Sequence, residues 1–253
     1  MIYKYRPLNI NTEKMIRENN LYFSHPKDFN DPFDTIINFC FGGDINRIYE
    51  KIKGKGLKNE IEYVKLLSKD IDFVQILKEN PCILNSSICC FSEKNNDTLM
   101  WSHYSDSHRG ICLEYETIVN EENICLLFDP IDMKINYPVP LLKVNYVEKP
   151  LEKINAIFTN DFVEHFKRFL STKSKEWEYE KEIRCIIQNS KFNNHPNAKI
   201  KENVLHGIIF GLNTPENDKI YYKTLAKKYH KSIVFYSAVK ISNEYKLNII
   251  MEQ

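Results

Sequence analysis

Glycine is scarce in this chain. The 253 residues hold only 7 glycines. None of them builds the glycine-rich turn that cradles a dinucleotide or a nucleoside triphosphate, so those two phosphate-loop classes are excluded. Gly42-Gly43 is an isolated turn pair. The 7 cysteines are odd in number and include no C-x-x-C pair. That spacing argues against a structural zinc site and against a secreted disulfide framework, and it leaves buried thiols as the expectation. Net charge is also missing. At +1 the chain advertises no polyanion partner as a whole. Local lysine groups such as Lys51, Lys53 and Lys55, or Lys227, Lys228 and Lys231, read as solvated faces or as a local nucleic-acid patch. No apolar run reaches the length of a membrane span, and Met1-Ile2-Tyr3-Lys4 reads as the start of a strand rather than a leader. A cytoplasmic location and no membrane partner are the expectations.

What is abundant is aromatic and polar in alternation. Aromatic residues make up 13% of the chain, and they cluster where the charged motifs are. The stretch Trp177-Glu178-Tyr179-Glu180-Lys181-Glu182-Ile183-Arg184 reads as a strand that runs on to Ile187. Alternation along such a strand sets Glu178, Glu180, Glu182 and Arg184 on one face. Three adjacent carboxylates repel one another unless a cation offsets them, and Arg184 offsets one. Two readings stand: a polar strand face with one ion pair, or a carboxylate site in a cleft.

Two further segments carry chemistry-bearing residues. Leu21 to Asp34 reads as a short strand followed by the turn Asn30-Asp31-Pro32, with Phe29 and Phe33 on either side as core plugs or as a stacking wall. Thr98 to Tyr115 reads as a short helix capped by Asp97 or Thr98, a turn closed by Gly110, and a strand over 111–115. Trp101 and Tyr104 share a face of that helix. His103 and His108 lack the spacing of a helical metal pair, so no metal site is assigned.

The remaining pattern predicts an α+β fold: one domain over 1–253 with a mixed or antiparallel sheet and a polar helical insertion at about 45–80. Strands are expected over 2–6, 87–91, 141–147, 204–211, 232–239 and 244–250. Helices are expected over 12–19, 215–229 and 151–170. The last rests on the apolar stripe Ile154, Ile157, Phe158, Phe162, Phe166 and Phe169.

Taken together, these segments resemble a bacterial family, the domain of unknown function 2971. The pattern runs through Tyr3-Lys4-Tyr5-Arg6, Phe29-Asn30-Asp31-Pro32-Phe33, Met100-Trp101-Ser102-His103-Tyr104 and Gly110-Ile111-Cys112-Leu113. It continues through Lys173, Trp177, Glu180, Glu182 and Arg184 to Ile208-Ile209-Phe210-Gly211. The family name carries no activity. In the order of its elements the chain is also similar to the ADP-ribosyltransferase superfamily, including DarT-type enzymes that modify DNA. No His-Gly or His-x-Thr pair stands on the first strand.

The layout implies an ADP-ribosyltransferase-like fold and enzyme that takes NAD, with a toxin or phage-defence role, a nucleic-acid or protein target and an antitoxin partner. Glu182 or Glu180 would be the catalytic carboxylate that steadies positive charge at the ribose. Tyr5, Arg6, Phe29, Asn30, Trp101, Tyr104 and Arg184 would hold NAD, with Arg6 or Arg184 near a phosphate. The competing readings are a metal-dependent nuclease, with Asp31 or Asp34 as further ligands, and a ligand-sensing or interaction module without catalysis.

Overall fold

Alternation of β-branched and aromatic residues with small or polar ones makes strands the commonest regular element among the described residues. The computed structural model describes residues 1–36, 39–40, 43–53, 86–129, 138–155, 158–159, 161–188 and 197–252. By their internal contacts these fall into two compact units. The first is formed by Met1–Phe29, Ser86–Val144 and Lys175–Gln253, and the second by Asn30–Asn85 and Asn145–Ser174.

In chain order the elements are β1 (Ile2–Arg6), α1 (Ile10–Glu18), β2 (Asn20–Tyr22), β3 (Phe39–Cys40), α2 (Ile45–Ile52), β4 (Ser86–Ser92) and α3 (Thr98–Tyr104). There follow β5 (Ile111–Tyr115), β6 (Ile118–Asn120), β7 (Asn123–Leu126), β8 (Val139–Lys143), β9 (Asn145–Val147), β10 (Ile154–Asn155), α4 (Phe162–Leu170) and β11 (Thr172–Ser174). After a 3₁₀ turn (Lys175–Glu180) come β12 (Glu182–Gln188), β13 (Asn197–Lys199), β14 (Leu205–Phe210), α5 (Glu216–Tyr229), β15 (Val234–Lys240) and β16 (Leu247–Met251).

The first unit is organised by a ten-stranded mixed sheet in the order β16-β15-β14-β5-β1-β4-β12-β8-β7-β6. Its one parallel pair, β14–β15, is joined by α5, the helical crossover a parallel connection requires. The α+β class with a mixed sheet, expected from the sequence, is what the chain adopts.

One face of the sheet carries the main core. Ile183, Cys185 and Ile187 of β12, Cys89 and Phe91 of β4, Ile2 of β1 and Leu113 of β5 pack there with Met15 and Ile16 of α1 and Tyr222 and Ala226 of α5. The opposite face is covered by α3. Met100 and Trp101 pack on Tyr5, Cys112, Ile209 and Ala238, with Tyr3, Tyr104, Tyr179 and Tyr236 partly buried around them.

Asn9 caps α1: its side chain accepts from Thr12 N at 3.0 Å, while Thr12 Oγ1 turns back to the Pro7 carbonyl. Asp97 caps α3 by accepting from Leu99 N and Met100 N. Beyond α3 the chain reverses through Asp106, Ser107 and His108, all with positive φ (46°, 52° and 67°). Three non-glycine residues in the left-handed region need external support. Gly110 N donates to Ser105 O, His108 N to Trp101 O, and Asn213 N to His108 O.

The second unit holds two short parallel pairs, β10–β3 and β11–β9, with α4 between β10 and β11 in sequence. The helix expected over 151–170 is shorter. Ile154 and Asn155 are strand, and the helix starts at Phe162, where Asp161 caps it by accepting from Glu164 N at 3.1 Å. Of the insertion expected at 45–80, α2 is helical and capped by Asp44. Residues 54–80 lie outside those described, as do 130–137.

Gly110 is enclosed by backbone. A Cβ there would press on the Arg6 carbonyl oxygen and lie 2.7 Å from Ser105 Oγ. Gly110→Ala is therefore expected to destabilise by about 1–3 kcal/mol, the range of an overpacked core. Denaturant unfolding checks it, and an unchanged midpoint contradicts the packing described.

Candidate functional site

The cross-strand register lays a polar row over five strands on the α3 face. Glu182 of β12 pairs with Ser92 of β4, Ser92 with Tyr3 of β1, Tyr3 with Glu114 of β5, and Glu114 with Gly207 of β14. Directly opposed residues of antiparallel strands share a face. The neighbouring row opposes Arg184 to Cys90, and Tyr5 to Cys112 and Ile209.

The carboxylates of the acidic segment take different places from those its alternation suggests. β12 begins at Glu182, not at Glu178. Lys175–Glu180 form a 3₁₀ turn, and Lys181 follows with φ +43°. That left-handed residue interrupts the strand period. The crossing is tied down by Ser92 Oγ donating to Glu180 O at 2.6 Å and Glu93 N donating to Lys181 O at 2.9 Å. Glu178 therefore leaves the row and pairs with Lys181 at 2.9 Å near the surface. Its carboxyl is held below the usual range by that lysine.

Glu182 and Arg184 keep the shared face and bind each other in a fork. Arg184 Nε donates to Glu182 Oε1 at 2.9 Å and Nη2 to Oε2 at 3.0 Å. Arg184 has no exposure and the Glu182 side chain 5%. The Phe29 ring lies 5.5 Å from the guanidinium. Burial and the negative charge of Glu182 push the Cys90 thiol well up, which keeps it a neutral donor toward that carboxylate.

Glu180 is also buried, at 4% exposure, and it accepts from a hydroxyl: Tyr104 donates to Oε1 at 2.6 Å. Around it runs a partly exposed aromatic strip. His103 Nδ1 lies 3.1 Å from the Tyr179 hydroxyl, and the two rings are 5.9 Å apart. Trp177 follows Tyr179 at 6.1 Å, and Tyr104 lies 6.4 Å from His103.

Trp101 and Tyr5 stand behind this strip as inner wall. Trp101 is fully buried, meets Tyr5 edge-on at 5.1 Å and donates from Nε1 to Asn95 O at 2.9 Å. The Tyr5 hydroxyl donates to Lys94 O at 2.9 Å. Both rings are internal, so they fix α3 on the sheet rather than offer a stacking surface.

Arg6 points to the other sheet face, where its Nε lies 3.4 Å from Thr12 Oγ1 of α1. Arg6 is thus taken up by α1, and Arg184 is buried in its fork with Glu182. Asn30 belongs to the second unit. The structure thus gathers Tyr5, Trp101, Tyr104, Glu180, Glu182 and Arg184 on one face of one sheet. Among the described residues, no group of three or more His, Cys, Asp or Glu side chains is set to hold a metal ion.

Reading the sequence missed the middle of the row. Glu114 is 6% exposed, and His206 Nε2 lies 3.8 Å from its Oε1. A Cβ on Gly207 would come within 3.1 Å of that same oxygen, so the glycine makes room for the carboxylate. The available signal was a lone charge in the apolar strand Ile111-Cys112-Leu113-Glu114-Tyr115. Burial, and then the Glu114 charge, push the Tyr3 hydroxyl up to about 12 from 10.0.

Residues 100–185 match the family model described as Protein of unknown function (DUF2971). The family resemblance read from the sequence therefore holds over that stretch, which spans α3, the Glu180 turn and the start of β12. No curated protein and no solved structure matches the chain. No helix of the described residues is long and apolar enough to cross a membrane.

The raised Tyr3 value sets a pH dependence. A hydroxyl whose folded value exceeds its unfolded one contributes stability that is complete below the unfolded value and lost as pH rises through the folded one. For Tyr3 that window runs from 10.0 to about 12. Tyr3→Phe is expected to flatten the fall in unfolding midpoint across that window and to remove one late step from the tyrosinate absorbance titration. An identical titration and pH profile in Tyr3→Phe would contradict the contact with Glu114.

Proposed function

We propose that the α3 face of the first unit is the reaction site of an ADP-ribosyltransferase-like enzyme that takes NAD as substrate, with Glu180 as the acting carboxylate. One observation carries this reading: a carboxylate buried to 4% exposure, oriented by the Tyr104 hydroxyl at 2.6 Å, beside a partly exposed strip of aromatic rings. The donor set suits a nucleotide. Rings of Trp177, Tyr179 and His103 offer flat surfaces for a base or a pyridine ring, and a fixed carboxylate beside them would meet positive charge on a ribose.

NAD supplies a ribosyl bond whose cleavage builds positive charge on the sugar. Glu180 then acts by electrostatics: a fixed carboxylate in a site of low dielectric stabilises that charge more than water does. Tyr104 positions it by a charge-assisted hydrogen bond. Glu182, the other candidate, has both oxygens engaged by the Arg184 fork, which suits it to hold the start of β12 rather than to meet substrate. Tyr5 and Trp101 keep the helix that bears Tyr104 seated. This reading carries with it a nucleic-acid or protein acceptor and a toxin or phage-defence role.

The test is incubation of the purified chain with labelled NAD, DNA, RNA and lysate protein, following label transfer and nicotinamide release. Glu180→Gln should lower turnover by about 10²–10³-fold with NAD affinity near wild type, because the charge matters mainly in the transition state. Tyr104→Phe should lower it less. Turnover unaffected by Glu180→Gln would remove this carboxylate from the chemistry. Mg²⁺-dependent nucleic-acid cleavage without NAD turnover would replace the reading with a nuclease.

A further inference from the structure

We infer that the space between β1 and β4, on the face where α1 packs, binds a phosphate dianion between Lys4 and Arg6, either free phosphate or the end of a phosphate monoester. The inference does not rest on the reading of Glu180. The ladder between these two strands is interrupted. β1 pairs with β5 from Ile2 to Arg6, but with β4 only where Tyr3 opposes Ser92. β12 takes the other edge of β4 along its full length. The next partner on the β1 side is Ser24, which bridges Ile88 through bonds of 2.9 and 2.8 Å. Among the described residues, Cys89, Cys90 and Phe91 thus have no strand partner on that edge.

Lys4 and Arg6 line this gap. Strand alternation puts both on the face of Ile2, where the neighbours are Leu113, Cys89 and Phe91 with Met15 and Ile16 of α1. Lys4 Nζ crosses the gap, donates to Cys90 O at 2.7 Å and lies 5.3 Å from the centre of the Phe91 ring. α1 engages Arg6 through Nε alone, 3.4 Å from Thr12 Oγ1. Burial pushes the Cys89 thiol up, and Lys4 and Arg6 both draw it back, so both charges reach the same sulfur.

Two like charges on successive positions of one strand face repel, and both side chains are partly buried. Partly buried cations call for a carboxylate beside them. The contacts of Lys4 and Arg6 among the described residues are instead with a carbonyl, a hydroxyl, a ring and a thiol, and none of these carries a negative charge. An anion between them supplies the missing charge, and two cations are neutralised by a dianion. The donors fit phosphate. The guanidinium presents its Nη groups as a fork, the ammonium keeps donors beyond the one given to Cys90, and phosphate oxygens accept from both. A carboxylate or a phosphodiester would leave one cation unmet.

The full chain should be titrated calorimetrically with inorganic phosphate, methyl phosphate, dimethyl phosphate and acetate at about pH 8, where a phosphate monoester is doubly charged. Inorganic phosphate, methyl phosphate or both should bind, and the tighter of the two tells a free from an esterified source. The singly charged dimethyl phosphate and acetate should bind at least about tenfold more weakly. Arg6→Gln removes one charge at a partly exposed position and keeps an amide donor. It should weaken the dianion at least about tenfold and abolish the rise in thermal midpoint that the dianion gives the unaltered chain. Lys246→Gln, at an exposed position outside the gap, should change neither. Failure of both dianions to bind, equal binding of acetate or dimethyl phosphate, unchanged affinity in Arg6→Gln, or an equal loss in Lys246→Gln would each overturn the assignment.

Discussion

Arg184 carries a full charge at a point with no access to water, in the strand between β4 and β8 of the main sheet. A buried guanidinium is tolerable only when its charge and donors are met at once. The Glu182 carboxylate, two residues earlier on the same strand face, meets it with two short bonds. That fork has consequences on both sides. It requires β12 to be regular from Glu182 onward, so that both side chains project to one face, and it moves the break in strand geometry back to Lys181. The break in turn creates the 3₁₀ turn that delivers Glu180 to Tyr104. A buried ion pair need not stabilise more than well-packed apolar residues would. Its effect here is on geometry, because it sets where the strand begins and so which carboxylate is left to face the aromatic strip.

The rest of the α3 face follows from the same register. Ser92, opposite Glu182, uses its hydroxyl to hold the Glu180 carbonyl, while Tyr3 and Glu114 continue the row. On the reverse face the same strands present Ile183, Cys185, Phe91 and Leu113 to α1 and α5. One sheet thus separates a conventional apolar core from a face where carboxylates, tyrosines and a guanidinium are packed beneath a seven-residue helix. Polar groups at such density with little solvent are costly unless fully paired, which is why their arrangement points to a purpose beyond stability.

Much of this is legible in the amino-acid sequence. The Asp97 cap, the helix bearing Trp101 and Tyr104, the apolar strand at Ile111–Tyr115, the crossover helix after Pro215 and the shared face of Glu182 and Arg184 all follow from short-range rules. The errors have a common origin. Treating Glu178, Glu180 and Glu182 as one strand face assumed that period two continues until something visible stops it. The residue that stops it, Lys181, is not a glycine, and its left-handed backbone is imposed by hydrogen bonds from Ser92 and Glu93 far away in sequence. Likewise Ile154 fits a helical stripe, yet Ile154 and Asn155 pair with Phe39 and Cys40, a contact that no local pattern announces. Arg6 looked like a site cation. Strand alternation puts it opposite Tyr5, and only the side on which α1 packs decides which of the two faces the acidic row.

The central claim is that the Glu182–Arg184 fork acts as a unit that fixes where β12 begins and so where Glu180 meets Tyr104. A double-mutant cycle on unfolding free energy, with Arg184→Met, Glu182→Leu and the pair, tests it most directly. Each single change strands a buried charge and should cost about 3–5 kcal/mol, whereas the double variant should lose far less than the sum, because removing both charges removes the desolvation penalty as well. Additive losses would contradict the account, since they would mean that the two side chains contribute separately and that the fork does not organise the strand.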